Sequence, residues 1–155
     1  MDIDDIIKDL TDVGNLNSIG LFADSIIRFK QKYKLHAELK KYKGHRMYIC
    51  GHSLGSAAAA LLASDFSDDY DIELVMFGCP KIGGSVFRDS FARKAISVSD
   101  YKTKYDVVTK LPWQMLGYVP LTEDVIELHP EYKPHELLNH HDIQTYIDEL
   151  EKYGS

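Results

Sequence analysis

An α/β fold, with a mainly parallel sheet covered by helices on both faces, is predicted from three features of the sequence. Met47-Tyr-Ile-Cys50 and Ile72-Glu-Leu-Val-Met-Phe77 are short, nearly continuous apolar runs, the pattern of parallel strands buried on both sides. An alanine-rich segment of helical character separates them, and the turn that joins it to the first run is rich in glycine. The alternation of strand and helix calls for right-handed crossovers between parallel neighbours.

The remaining elements follow in chain order. Phe22, Ile26, Phe29 and Tyr33 recur at helical spacing, which predicts a helix with one buried face. Lys40-Lys-Tyr-Lys43 before Gly44 has the form of a helix C-terminus, with cations at the negative end of the dipole and a glycine just beyond. After the second strand, Phe87 and Phe91 mark a helix, Ile96-Ser-Val98 a third strand and Asp124-Val-Ile-Glu-Leu128 a fourth. Ile143, Tyr146, Ile147 and Leu150 define the apolar face of a last helix. Between Leu111 and Asn139 the periodicity fades.

The 155 residues are expected to form a single domain, large enough to bury one core without disulfides or metals. With 45% hydrophobic and 27% charged residues, the chain has the balance of a folded soluble or peripheral protein. Its formal charge of -6 disfavours nucleic acid as a partner. The acidic start, Met1-Asp-Ile-Asp-Asp-Ile-Ile-Lys, has neither the positive flank nor the apolar run of a secretory signal, so a cytoplasmic or other intracellular location is expected. No apolar run approaches the ~20 residues of a membrane span. Two cysteines, Cys50 and Cys79, close apolar runs and are expected as buried reduced thiols, which leaves neither a disulfide framework nor a clustered zinc site.

The chemistry is concentrated at Gly51-His-Ser-Leu-Gly55, a G-x-S-x-G pattern entered from a strand and left through a helix. Such a turn holds the serine in strained backbone geometry, while the glycines on either side let strand and helix approach closely. The first free amide of the following helix, that of Leu54, can bind a developing oxyanion. His52 is expected to pack along the turn, away from the nucleophile.

Ser53 needs a base, and the base needs a carboxylate to set its tautomer. Downstream histidines are His129, His135, His140 and His141; the last opens the final amphipathic helix and leads its neighbour on spacing. For the acid, Asp106 in Tyr105-Asp-Val-Val-Thr-Lys-Leu-Pro112 follows a strand and precedes a proline-ended loop, with Asp100 and Glu123 as alternatives.

The sequence resembles the class 3, or fungal-type, lipases. Ile49-Cys-Gly-His-Ser-Leu-Gly-Ser56 is similar to their elbow, Met76-Phe-Gly-Cys-Pro-Lys-Ile-Gly83 to their next strand and loop, Tyr105–Pro112 to the segment of their catalytic Asp, and His141-Asp-Ile-Gln-Thr-Tyr146 to that of their catalytic His. The resemblance implies an α/β-hydrolase fold and an ester hydrolase acting on acylglycerols or similar lipids. It further implies Ser53 as nucleophile, Asp106 as orienting acid and His141 as general base. No metal or organic cofactor is implied.

The resemblance runs from about Asp2 to Leu150 and begins after the family's first strand and lid, so an N-terminally shortened domain is expected. Ser18 stands where many members have a histidine, and Ser56 where they have a second glycine. A shortened sheet would expose an edge that self-associates or takes a partner strand, and would lack one oxyanion donor. Trp113, Met115, Leu116 and Tyr118 are candidates for an acyl-chain site or for closing the core.

Overall fold

The computed structural model describes residues 26–111, 117–134 and 137–154. Among them, residues 26–32 are helical and are followed by α1 (Leu35–Leu39) and a 3-10 turn at Lys40–Tyr42. The chain then alternates β1 (Arg46–His52), α2 (Leu54–Phe66), β2 (Asp71–Phe77), α3 (Ser85–Ala92) and β3 (Ile96–Thr103). Strand β4 (Val125–Leu128) and helix α4 (Ile143–Gly154) complete it. The four strands form one sheet in the order β1-β2-β3-β4, every pair parallel. This is the mainly parallel α/β architecture expected from the apolar runs.

Side-chain alternation shows how the two faces of the sheet differ. Ile72, Leu74 and Met76 of β2 point into a core completed by Ala59, Ala60, Ala63 and Phe66 of α2 and Phe91 of α3. The small residues of α2 are what let the helix lie close to β1 and β2. On the opposite face, Phe77 lies beside Tyr146 of α4, while Tyr48 and Cys50 of β1 remain exposed. Cys79 is buried as expected; Cys50 is not, because no described element covers that end of the second face.

Two helices are rotated from the predicted orientation. Phe29 and Tyr33 are exposed, with their rings in a tilted contact at 4.9 Å between centroids, and the helix breaks at Lys34, whose φ is 47°. Leu35 and Leu39 of α1 make the core contact instead. Phe22 lies outside the described residues. In α4 the buried positions are Tyr146 and Glu149, whereas Ile143 and Ile147 are exposed. The turn at Lys40–Lys43 does end at a left-handed glycine, Gly44, with φ of 90°. Among the described residues no helix is long and apolar enough to cross a membrane.

Candidate active site

The site is assembled at the carboxyl ends of the strands, where an open parallel sheet leaves a crevice. Ser53 is the residue between β1 and α2, with φ 56° and ψ -127°. A non-glycine residue in such backbone costs about 1–3 kcal/mol and persists only when its surroundings dictate it. Here the Ser53 amide donates to the Phe77 carbonyl at 2.9 Å, extending the ladder between β1 and β2 into the turn. Ser56 is wholly buried and clamps the same two strand ends. Its hydroxyl lies 2.6 Å from the Gly51 carbonyl and 3.0 Å from that of Phe77, and it accepts the Phe77 amide at 3.2 Å.

The two glycines of the motif are not equivalent. A Cβ on Gly51 would stand 2.2 Å from the Gly55 carbonyl oxygen, so the crossing of strand and helix requires glycine there. A Cβ on Gly55 would meet nothing within 4 Å, and the expectation that both glycines serve close approach is corrected for this one.

His141 closes a 3-10 turn, Leu137–His141, just before α4. Its Nε2 lies 2.7 Å from Ser53 Oγ and its Nδ1 lies 2.8 Å from Asp106 Oδ2. Asp106 sits three residues beyond β3 and is fully buried. Its Oδ2 also accepts the Tyr146 hydroxyl at 2.7 Å, and its Oδ1 accepts the Val108 amide at 2.8 Å. Three donors converge on this carboxylate, which therefore acts as an acceptor throughout. That arrangement places a proton on Nδ1 of His141 and leaves Nε2 to accept from Ser53. Burial and the neighbouring Asp106 charge raise the Tyr146 hydroxyl above its ordinary pKa, which keeps it a donor.

The alternatives for each role lie elsewhere. Asp100 is buried on the core side of β3 beside Met76, paired with Lys102 at 2.9 Å, and burial raises its carboxyl above the usual range. Glu123 and His129 are exposed. His140 is buried but turned away, its ring against Tyr105 at 5.2 Å. His135 lies outside the described residues, as do Trp113, Met115 and Leu116. Tyr118 is buried, and its neighbour Val119 bridges to Gly83.

His52 departs from expectation. Its Nε2 lies 2.7 Å from the carbonyl oxygen of His141, and the two imidazole centroids are 4.8 Å apart. Three other contributors were not legible as site residues. Tyr146 reads in the sequence as part of an apolar face, although a buried tyrosine hydroxyl needs a partner, which is the signal available for it. Thr103 Oγ1 donates to the His140 carbonyl at 2.6 Å.

The third is Gly78, left-handed at φ 59°, which lies directly against the site. A Cβ there would come within 3.0 Å of Asp106 Oδ2, 3.0 Å of Tyr146 Oη and 3.1 Å of His141 Cε1. Gly78→Ala is expected to cost roughly 2–4 kcal/mol through backbone strain and overpacking, and to slow turnover more than tenfold. Thermal unfolding and ester turnover of the variant check both effects, and an unchanged melting temperature would contradict this account.

A mainly parallel sheet with a serine at a strained strand-to-helix turn, hydrogen-bonded to a histidine and through it to an aspartate, defines the α/β-hydrolase class. Residues 4–116 match the family described as Lipase (class 3), and the chain belongs to that family. The match includes Ser53 and Asp106; His141 lies beyond it. Phospholipase A1-IIdelta of Arabidopsis thaliana is 32% identical over 108 residues, covering 64% of this chain and 26% of its own length. The Rhizomucor miehei lipase, in a structure of its propeptide complex, superimposes with a TM-score of 0.58 at 22% identity, covering 73% of this chain and 36% of that one. A structure described as showing that a serine protease triad forms the catalytic centre of a triacylglycerol lipase gives a TM-score of 0.57 at 24% identity, covering 70% of this chain and 43% of that one. The chain thus spans about a quarter of the length of this phospholipase relative and under half of these lipase chains.

Proposed function

We propose that this chain hydrolyses carboxylic esters of glycerolipids through an acyl-enzyme on Ser53. The observation that carries the reading is the unbroken relay from Ser53 Oγ to His141 Nε2 at 2.7 Å and from His141 Nδ1 to Asp106 Oδ2 at 2.8 Å. His141 takes the serine proton as Oγ attacks the acyl carbon, and the resulting imidazolium is stabilised by Asp106. The oxyanion is met by the Leu54 amide at the start of α2, where helix geometry leaves the first N–H groups without backbone acceptors. Collapse of the tetrahedral intermediate passes the proton to the departing alcohol. Water, deprotonated by His141, then releases the fatty acid and restores Ser53. The sequence needs no cofactor. Relatives named for phospholipase A1 and triacylglycerol lipase support an acyl-glycerol ester as substrate.

A second reading has its own support: β1, the strand that carries the nucleophile, has no neighbour on its outer edge among the described residues. In that reading the chain is a weak hydrolase that binds acyl ligands until a partner strand, from another copy or another polypeptide, pairs with this edge and adds an oxyanion donor. Both readings are tested by fatty-acid release from phosphatidylcholine and trioleoylglycerol, with and without a family-like strand peptide and its scrambled control. Brisk release unaffected by the peptide supports the first reading alone. A rise of about tenfold or more supports the second, on the scale of one restored donor. No release under any condition, from a protein that also fails to react with a fluorophosphonate, refutes both.

A further inference from the structure

The segment that delivers the general base is held by its backbone carbonyls. The Asn139 carbonyl accepts Thr145 Oγ1 at 2.6 Å, the His140 carbonyl accepts Thr103 Oγ1 at 2.6 Å, and the His141 carbonyl lies 2.7 Å from His52 Nε2. Three successive peptide groups therefore each meet a side chain. Thr145 belongs to the following helix and Thr103 to β3, the strand leading to Asp106. His52 differs from both, because it ends β1 and its next residue is Ser53.

We infer that His52 is a positioning residue, coupling the nucleophile turn to the base by a hydrogen bond from its imidazole to the backbone of His141. This inference rests on the reading of Ser53 as nucleophile. A carbonyl can only accept, so the proton of the His52 ring must lie on Nε2. Burial lowers the pKa of His52 below the ordinary histidine value, consistent with a neutral donor beside a base that itself becomes cationic during the reaction. The ring is further confined by Tyr146, whose centroid is 5.9 Å away in an edge-on arrangement.

The consequence is geometric. Ser53 and His141 are separated by 88 positions in sequence, and their side chains meet across a single hydrogen bond at 2.7 Å. The bond from His52 is a second tie between the same two segments, made outside the reacting atoms. Losing it would leave the His141 backbone without its link to β1, and a displacement of about 1 Å is enough to cost on the order of 100-fold in rate.

The test compares His52→Leu, which removes the donor, with His52→Gln, whose side-chain amide can place an N–H where Nε2 stood. His52→Leu is expected to lower kcat for a short-chain p-nitrophenyl ester by about 10- to 100-fold, with KM within about threefold of wild type. The rate of fluorophosphonate labelling should fall in parallel. His52→Gln should recover kcat to within about fivefold of wild type. Melting temperatures of the two variants separate positioning from scaffolding: equal melting temperatures with unequal kcat support the inference. Equal kcat in wild type and His52→Leu, or no recovery in His52→Gln, overturns it while leaving the ester-hydrolase reading intact. A wild-type protein that neither labels nor turns over ester overturns both.

Discussion

Ser53→Ala is expected to abolish ester hydrolysis, by on the order of 10⁴- to 10⁶-fold, while the protein stays folded. The expected loss is large because in the proposed mechanism the serine oxygen forms the covalent bond, and among the described residues His141 Nε2 is hydrogen-bonded to no other nucleophile. The fold is expected to survive because the change removes one oxygen from a buried residue whose structural contribution is made by its backbone. The Ser53 amide still donates to Phe77, and the Ser53 carbonyl still accepts the Ser56 amide at 2.9 Å. The remaining cost is the His141 Nε2 acceptor left without its hydroxyl partner, about 1 kcal/mol. The measurement pairs p-nitrophenyl ester turnover with far-UV circular dichroism, and adds the intact mass after fluorophosphonate treatment. Wild type should carry one adduct and the variant none. Retained turnover, or an adduct in a folded Ser53→Ala protein, would remove Ser53 from the nucleophile's role.

Asp106→Asn is expected to be nearly as damaging, about 10⁴-fold in turnover, for a reason visible only in the full set of contacts. Both carboxylate oxygens are acceptors, Oδ1 for the Val108 amide and Oδ2 for His141 Nδ1 and the Tyr146 hydroxyl. An asparagine has one acceptor and one donor. If its NH2 faces Val108, two N–H groups oppose each other inside the protein. If it faces His141, the imidazole must shift its proton to Nε2, where it can no longer accept from Ser53. Either orientation disturbs a buried pairing, so the variant should also lose about 1–3 kcal/mol of stability. Thermal unfolding and turnover measured together give the result, and a fully active, unshifted Asp106→Asn protein would send the acid's role elsewhere. Asp100 is poorly placed to take it, since its side chain is on the core face of β3 and bound to Lys102.

Much of the site was legible because its pieces are local patterns. The turn at Ser53 announces itself through glycine, serine and a change from strand to helix over a few residues. Its strain at Ser53 and the crowding at Gly51 are properties of that short stretch. His140 and His141 are harder to separate, because adjacent residues share their local context. The structure distinguishes them by the direction in which a 3-10 turn aims each ring. His140 packs with Tyr105, while His141 reaches Asp106 and Ser53. The apolar face of α4 was misread for a related reason. Periodicity shows that one side of a helix is apolar, but the buried side is centred on Tyr146, whose hydroxyl reaches Asp106. Ile143 and Ile147 are left exposed as a result.

What the sequence determined by itself was the parallel α/β order of elements, the strained strand-to-helix turn at Ser53 and the family, because strands, turns and helix starts are encoded in neighbouring residues. What only the tertiary structure decided were the partners that make these residues a site. Gly78 beneath Asp106, Tyr146 on its carboxylate and His52 on the His141 carbonyl come from separate elements and meet only when the sheet is formed. The physical reason is directional. A hydrogen bond depends on where a single donor points to within a few tenths of an ångström, and that direction is set by packing between distant segments rather than by the residues beside it.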